Sequence, residues 1–570
     1  MTDHRGDHHM PDTEATRHFV TVSVTGGAAL RLIARRGLDL FPSTARETDD
    51  GAAIDGYLGD AEIAALAESG HDVLVHPDVA AAPLEIAPDD DVPLSLDAGP
   101  ETAVPPGYQA SYQFERYIRD IAMSLPNVMS RVQLPEPSVQ GKTISALRMR
   151  GGTRADRPGV LLLAGVHARE LINPELLYNW IFRMSYALSA ETSVNYPAST
   201  YEYGTIKMLT DNLDIFIVPV VNPDGHDLVL SAENLRMWRG NGRRVDLNRN
   251  YDFLFDSGIG TSTDPASDVY RGPHAFSEPE TRNIRWLLDT FPQITAVLDL
   301  HSYSELILYP WGDDDNQTTD PGQNFRVPNP DRGVPNDGRY REYIPSADLN
   351  WFVRTGNRMR DVIAKQHGRA YALQQSVGLY PTTATIDDYS FSRHFLNPGL
   401  RNVRTFCIET GKPPVGGDVL GAFQPPSAEA RKVIEEVGPA VVEFLLEIYC
   451  PSGPDTLLLR EADEVLARHI GDSRELYDGL VAHGPSILRA LGDDPRARVK
   501  ATMALKRLTD AGRLEHDPVL ESDVVEKLAE AATAIGEAVP EAQSLLKAFG
   551  ALTEGAAGQR LSKLVSDLGR

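Results

Sequence analysis

Four short apolar runs punctuate the middle of the chain: VLLLAGV (160–166), IFIVPVV (215–221), ITAVLDL (294–300) and VRTFCI (403–408). They are rich in β-branched residues and separated by helical segments such as the amphipathic FERYIRDIAMSL (114–125). Runs of this kind predict strands buried on both faces of a largely parallel or mixed sheet. The reading is one large α/β domain over 108–450. Upstream, FVTVSV (19–24) alternates like a strand, GAALRLIARRGL (27–38) and DAEIAALAESG (60–70) read as short helices, and HDVLVHP (71–77) as another strand. Together they predict a small α+β unit over 18–85. An acidic, Pro-rich stretch at 86–107 reads as a linker. Residues 1–17 read as a disordered polar tail, in which His4, His8 and His9 are tail residues rather than metal ligands.

Two further regions break the α/β pattern. Residues 312–347, rich in Asp, Asn, Gly and Pro, predict a long surface loop. Within it DDDNQTTD (313–320) lacks the spacing of a helix–loop–helix calcium site, so a solvated loop is the expectation. From 451 to 570 the chain turns rich in Ala, Leu, Glu and Arg with helical periodicity, which predicts an all-α C-terminal region and a surface for a protein partner or self-association.

Composition narrows the function classes. The 570 residues carry 55 Lys plus Arg against 81 Asp plus Glu, a formal charge of −26. That field repels phosphate and argues against nucleic acid or an anionic membrane as partner. Cys407 and Cys450 are the two cysteines, too few for a disulfide scaffold or a Cys-rich zinc module. The N-terminus has no apolar core of the signal-peptide kind, and no run approaches the roughly 18 apolar residues of a membrane span. The cytoplasm is the expected location.

The candidate chemistry stands at the ends of the apolar runs, where open α/β sheets gather ligand-binding groups. His167 and Glu170 follow VLLLAGV, three residues apart, a spacing from which both can reach one metal ion. An isolated His-x-x-Glu is weak, because such pairs usually sit as surface polar residues. His301 follows ITAVLDL and would complete the set if a neighbouring strand brought it back; alone, it reads as a structural histidine. Two His and one Glu leave a zinc ion one position for water. Glu409, after the fourth run, is the candidate base that accepts the water proton and passes it on. RMWRGNGRRVDLNRNYDF supplies Arg236, Arg239, Asn248 and Arg249, donors suited to a carboxylate. The alternative is a solvated basic loop.

In this order the motifs resemble the zinc metallocarboxypeptidase family of the pancreatic carboxypeptidase A/B type, over roughly 108–450: His-x-x-Glu, MWR, DLNRNYD, a strand ending His-Ser-Tyr-Ser, and Glu before Thr-Gly. The resemblance implies an α/β/α sandwich around a mixed eight-stranded sheet with one zinc at its edge. It makes His167, Glu170 and His301 the zinc ligands and Glu409 the general base. Arg239 then stabilises the developing oxyanion, and Asn248 with Arg249 holds the terminal carboxylate of a peptide or protein substrate. Arg169 and Arg236 fall on auxiliary substrate-binding positions, and Tyr380 on a mobile tyrosine that closes over the bound end.

Asp387 falls at the base of the specificity pocket, where a carboxylate would favour Lys or Arg; a slip of one residue would put Ile386 or Asp388 there instead. The sequence also departs from the family's pattern. The distance from Glu409 to Thr-Gly is short, and aligning on Thr-Gly would put Phe406 at the base position. Residues 18–82 resemble the family's small inhibitory pro-domain, here with no secretion signal, so a permanent domain shielding the cleft is the alternative. Two other functions compete: an amidase or peptidase acting on cell-wall peptides or acidic tails with the same zinc site, and a scaffold acting through the helical C-terminal region.

Overall fold

The computed structural model describes residues 16–25, 36–48, 51–76, 83–88, 107–153, 155, 157–414, 418–449 and some positions between 501 and 563. The tail at 1–15, most of the 27–38 helix, most of the linker and most of the C-terminal region lie outside the described residues.

The N-terminal unit is a four-stranded antiparallel sheet made of β1 (Arg17–Val24), β2 (Leu40–Thr48), β3 (Gly51–Gly59) and β4 (Asp72–Val75), in the order β2-β3-β1-β4. Helix α1 (Asp60–Glu68) connects β3 to β4. Val20, Val22, Ile54, Leu58 and Leu66 form its own small core. β2 and β3 extend the sequence reading, which gave this unit only two strands. Pro42 interrupts β2, and the small residues of GAAIDGYLG give β3 no clear alternation.

The large domain begins with α2 (Ser111–Ser124), β5 (Met129–Gln133), β6 (Ser145–Met149), β7 (Gly159–Ala164), α3 (Ile172–Ala190) and β8 (Asp214–Val218). It continues with β9 (Ile294–Ser302), β10 (Leu306–Tyr309), α4 (Ser346–His367), β11 (Ala372–Gln375), α5 (Ile386–Leu396) and β12 (Arg404–Thr410). Helices α6 (Val419–Phe423) and α7 (Ser427–Tyr449) follow, and α8 (Ser522–Ala538) lies in the C-terminal region. One mixed eight-stranded sheet runs β11-β10-β12-β9-β7-β8-β6-β5. Its centre is parallel, β12 to β9 to β7 to β8, and antiparallel pairs flank it. Every residue of β7 and β8 is buried, as near-continuous apolar strands between two helical layers require. Helix α7 packs against both α3 and α4. Phe406 of β12 points into that layer, against Phe352, Trp351 and Phe444. The fold is the expected α/β architecture.

The region 312–347 departs from a solvated loop. Asp313, Asp314 and Glu342 are buried, and Arg332 pairs with Asp313 at 3.0 Å while Tyr340 donates to Glu342 at 2.8 Å. Arg332 gives Asp313 and Glu342 an internal partner, and the Gly333 N–H donates to Asp314, so the segment folds inward. Among the described residues, no helix is long and apolar enough to cross a membrane.

Candidate metal centre

The central parallel strands all deliver their C-terminal ends to one edge, and side-chain alternation decides what reaches it. After β7 the backbone turns through Gly165 at φ +64°, where an added Cβ would lie 3.2 Å from Pro174. That turn releases His167 and Glu170 before α3 begins. β9 runs alongside β7 and presents His301 near its end.

The three side chains meet. His167 Nδ1 lies 2.8 Å from one Glu170 oxygen, His301 Nδ1 lies 3.1 Å from the other, and the two Nδ1 atoms are 3.0 Å apart. Zinc–nitrogen bonds of about 2.0–2.1 Å at tetrahedral angles set donor separations of roughly 3.3 Å, so this triangle suits one zinc ion. All three residues are buried, and they form the one potential metal cluster among the described residues. Each imidazole also has its distal nitrogen held. His167 Nε2 is 3.1 Å from Asp246, and His301 Nε2 is 2.7 Å from Asp299. A carboxylate behind each ring fixes the tautomer and aims Nδ1 at the metal position.

Asp246 does more than hold His167. Its second oxygen accepts from Arg239 Nε at 3.0 Å, and its first also accepts from the Asn248 backbone N–H at 2.9 Å. Burial opposes its charge, but Arg239 and His167 hold it well below the usual carboxylate range.

Glu409 sits one rung across from His301 in the β9–β12 register, so the two side chains share a face. Desolvation first, and then the Glu170 carboxylate, push Glu409 up to about 8, while His301 and Arg239 pull the other way. Phe406 has the opposite parity, is fully buried, and faces the helical layer.

The remaining sequence-derived residues divide into two groups. Asn248 Oδ1 accepts from the Ile386 N–H at the start of α5 at 2.9 Å, Arg249 donates to the Gly260 and Asn248 carbonyls, and its guanidinium lies 5.9 Å from the Tyr380 ring centre. Asp387 is buried in the first turn of α5, where its carboxylate accepts from Ser376 Oγ at 3.3 Å. Burial raises its pKa, and Asp299 and His301 are both close enough to shift it. Ile386 joins the apolar core, and Asp388 is occupied by the Gly312 N–H. Arg169 and Arg236 are engaged elsewhere. Arg169 makes two parallel bonds, at 2.7 and 2.8 Å, to Asp39 of the N-terminal unit, and Arg236 Nε donates to Gln424 at 2.8 Å.

The sequence of the large domain matches a family model described as zinc carboxypeptidase over residues 114–439, more than half of the chain. The chain belongs to the zinc carboxypeptidase family.

Among curated members, Carboxypeptidase A2 of Rattus norvegicus is 36% identical over 198 residues, covering 33% of this chain and 42% of that protein. Carboxypeptidase B of Helicoverpa zea is 33% identical over 221 residues, covering 36% and 47%. The matched part thus spans less than half the length of these relatives. The fold likeness extends further. A carboxypeptidase A from Helicoverpa armigera superposes with a TM-score of 0.52 at 20% identity, covering 75% of this chain and 96% of the other. The structure of thrombin activatable fibrinolysis inhibitor gives 0.51 at 17% identity, covering 76% and 98%.

Sequence reasoning missed Asp246, Asp299 and Asp39. Asp299 was findable, because a residue two before His301 on one strand shares its face. Asp246 lies within the same DLNRN segment that drew attention to Asn248. Asp39 carries no local signal.

Proposed function

We propose that this chain is a zinc-dependent carboxypeptidase that hydrolyses the last peptide bond of peptides or proteins. The observation that carries the reading is the meeting of His167, Glu170 and His301 donor atoms about 3 Å apart beside Glu409 and Arg239. Held by His167, Glu170 and His301, a zinc ion would lower the pKa of water to about 7 and polarise a carbonyl oxygen.

The protein's own groups divide the remaining work. Glu409, on the same face of the sheet as His301, is the group that takes a proton and returns it to the leaving amine. Arg239, held by Asp246, aims positive charge at the oxygen that becomes negative. Asn248 and Arg249 anchor the substrate's terminal carboxylate, and Tyr380 beside Arg249 covers it. Fixing that end restricts cleavage to the last bond. Asp387, buried near Asp299 and His301, favours a Lys or Arg side chain in the adjoining pocket.

The 18–85 unit acts as a cover over the cleft. Asp39 takes both arms of the Arg169 guanidinium, and Phe41 packs at 6.3 Å from Tyr303 and 6.4 Å from Phe423. No Lys or Arg occurs between residues 47 and 115, so a trypsin-like protease has no cleavage site there.

The test is hydrolysis of short peptides ending in Lys, Leu, Glu or diaminopimelate, with and without a zinc chelator. Chelation is expected to abolish turnover, and Glu409→Gln to keep the metal while losing at least about 10²-fold in rate. Full activity in that variant would remove Glu409 from the mechanism. Equal rates for Lys and Leu would remove Asp387 from the specificity assignment.

A further inference from the structure

Beside α6 and the start of α7 lies a cavity of about 440 Å³, inside the range of small-molecule sites. Its walls are largely apolar, with Leu84, Leu420 and Ile434 among them. Four charged side chains also line it: Arg236, Asp418, Glu85 and Glu175. The Glu175 carboxylate accepts from the backbone and side-chain N–H of Gln109, and the Glu85 carboxylate from Ser427 Oγ, while Arg236 and Asp418 stand as a pair of opposite sign. Arg236 is only 6% exposed, and Asp418 is among the anions that support its charge against burial. Asp418 itself is exposed and caps α6 through the Gly421 N–H at 2.8 Å.

A guanidinium, a carboxylate and aliphatic walls around one space are complementary to a small zwitterion with an apolar substituent. We propose that this cavity binds a free α-amino acid with an aliphatic side chain. Its carboxylate meets Arg236, its ammonium group meets Asp418, and its side chain packs on Leu84, Leu420 and Ile434. This gives Arg236 a role apart from the metal cleft.

The site has a physical route to that cleft. Gln424, on the cavity wall, accepts from Arg236 Nε and donates to the carbonyls of Arg236 at 2.7 Å and Arg169 at 3.3 Å. Arg169 immediately precedes Glu170 and grips Asp39. The cavity is also lined by Glu85 and Tyr108, where the two ends of the linker meet through the Ile86–Tyr108 bridge. An occupant therefore touches the tether of the covering unit and Gln424, which bonds the loop that carries the metal ligands. That the ligand would also be a product of the reaction rests on the function proposed above; the binding itself does not.

The experiment is calorimetry on the full-length chain with L-leucine, leucinamide (no carboxylate) and isocaproate (no amine). One saturable site for L-leucine is expected, with each analogue at least about tenfold weaker. Leu420→Trp, which fills the cavity, should remove the heat. Asp418→Asn, which keeps an oxygen to cap α6, should weaken leucine by about tenfold. Asn248→Ala, in the metal cleft, should leave leucine binding intact. Absence of saturable heat, equal binding of leucinamide, or binding lost in Asn248→Ala but kept in Leu420→Trp overturns the proposal. Loss of zinc-dependent hydrolysis alongside intact leucine binding would instead overturn the function.

Discussion

The contact between Asp39 and Arg169 yields a stability prediction that does not depend on catalysis. Both side chains are buried, 5% and 1% exposed, and the carboxylate spans the guanidinium at 2.7 and 2.8 Å. Removing one member of such a pair costs about 3–5 kcal/mol, because the other is left charged and dry. Arg169 keeps partial compensation, with Asp268 at 4.0 Å and the Phe423 ring centre 4.5 Å from its guanidinium carbon. Asp39→Ala is therefore placed at the low end, about 3 kcal/mol, which is a roughly 10²-fold shift toward an undocked N-terminal unit. Urea titrations of Asp39→Ala, Arg169→Leu and the double variant measure it as a cycle. The double variant is expected to be more stable than Asp39→Ala alone, since it removes the orphaned charge and gives Phe41 and Phe423 an apolar neighbour. Two small, additive losses below about 1 kcal/mol each would mean that the pair is screened as at a surface, and the docking argument would fail.

Three further outcomes follow from buried groups. Asp299→Asn should weaken zinc binding by about 10–100-fold in a chelator competition, because it replaces the carboxylate 2.7 Å from His301 Nε2; unchanged affinity would deny it that role. Phe406→Ala should cost about 3–5 kcal/mol in denaturant melts while folded protein keeps its hydrolysis rate, and the reverse pattern would return this position to the chemistry. Burial raises Glu175 from 4.5 to about 7, so between those values the folded state holds a proton that the unfolded state has lost. Its contribution therefore falls as pH rises from about 4.5 to 7, by about 3 kcal/mol at most. Glu175→Gln should flatten that slope and stabilise the protein above pH 7, since Gln109 can turn its unpartnered oxygen toward the new amide. A slope unchanged by the substitution would show that Glu175 does not titrate in this window.

What the sequence exposed was local pattern with a single physical cause. VLLLAGV and IFIVPVV could be read as strands because both faces are buried, and His-x-x-Glu at a strand exit needs no distant information. The hairpin of β2 and β3 escaped because its residues are small or interrupted by proline. The 312–347 segment misled because composition counts charges without pairing them, and Arg332 supplies the internal counter-ion. Asp39 and Arg169 are 130 positions apart, and only the packing of one unit on another joins them.

The same distinction bears on the proposed base, for which Glu409 and Phe406 are the two candidates. Spacing to Thr-Gly favoured the phenylalanine, whereas strand parity separates the two outright. In the observed register His301 faces Glu409 and Asp299 faces Cys407, so odd-numbered positions of β12 point to the metal edge and even-numbered ones to α4 and α7. A one-residue shift would leave Glu409 on the helical side among Phe352, Trp351 and Phe444, and would pull Phe406 out of that cluster. Burying a carboxylate there without a partner and losing the aromatic packing would each cost several kcal/mol. The aromatic layer on the far face of the sheet thus holds the carboxylate at the metal edge.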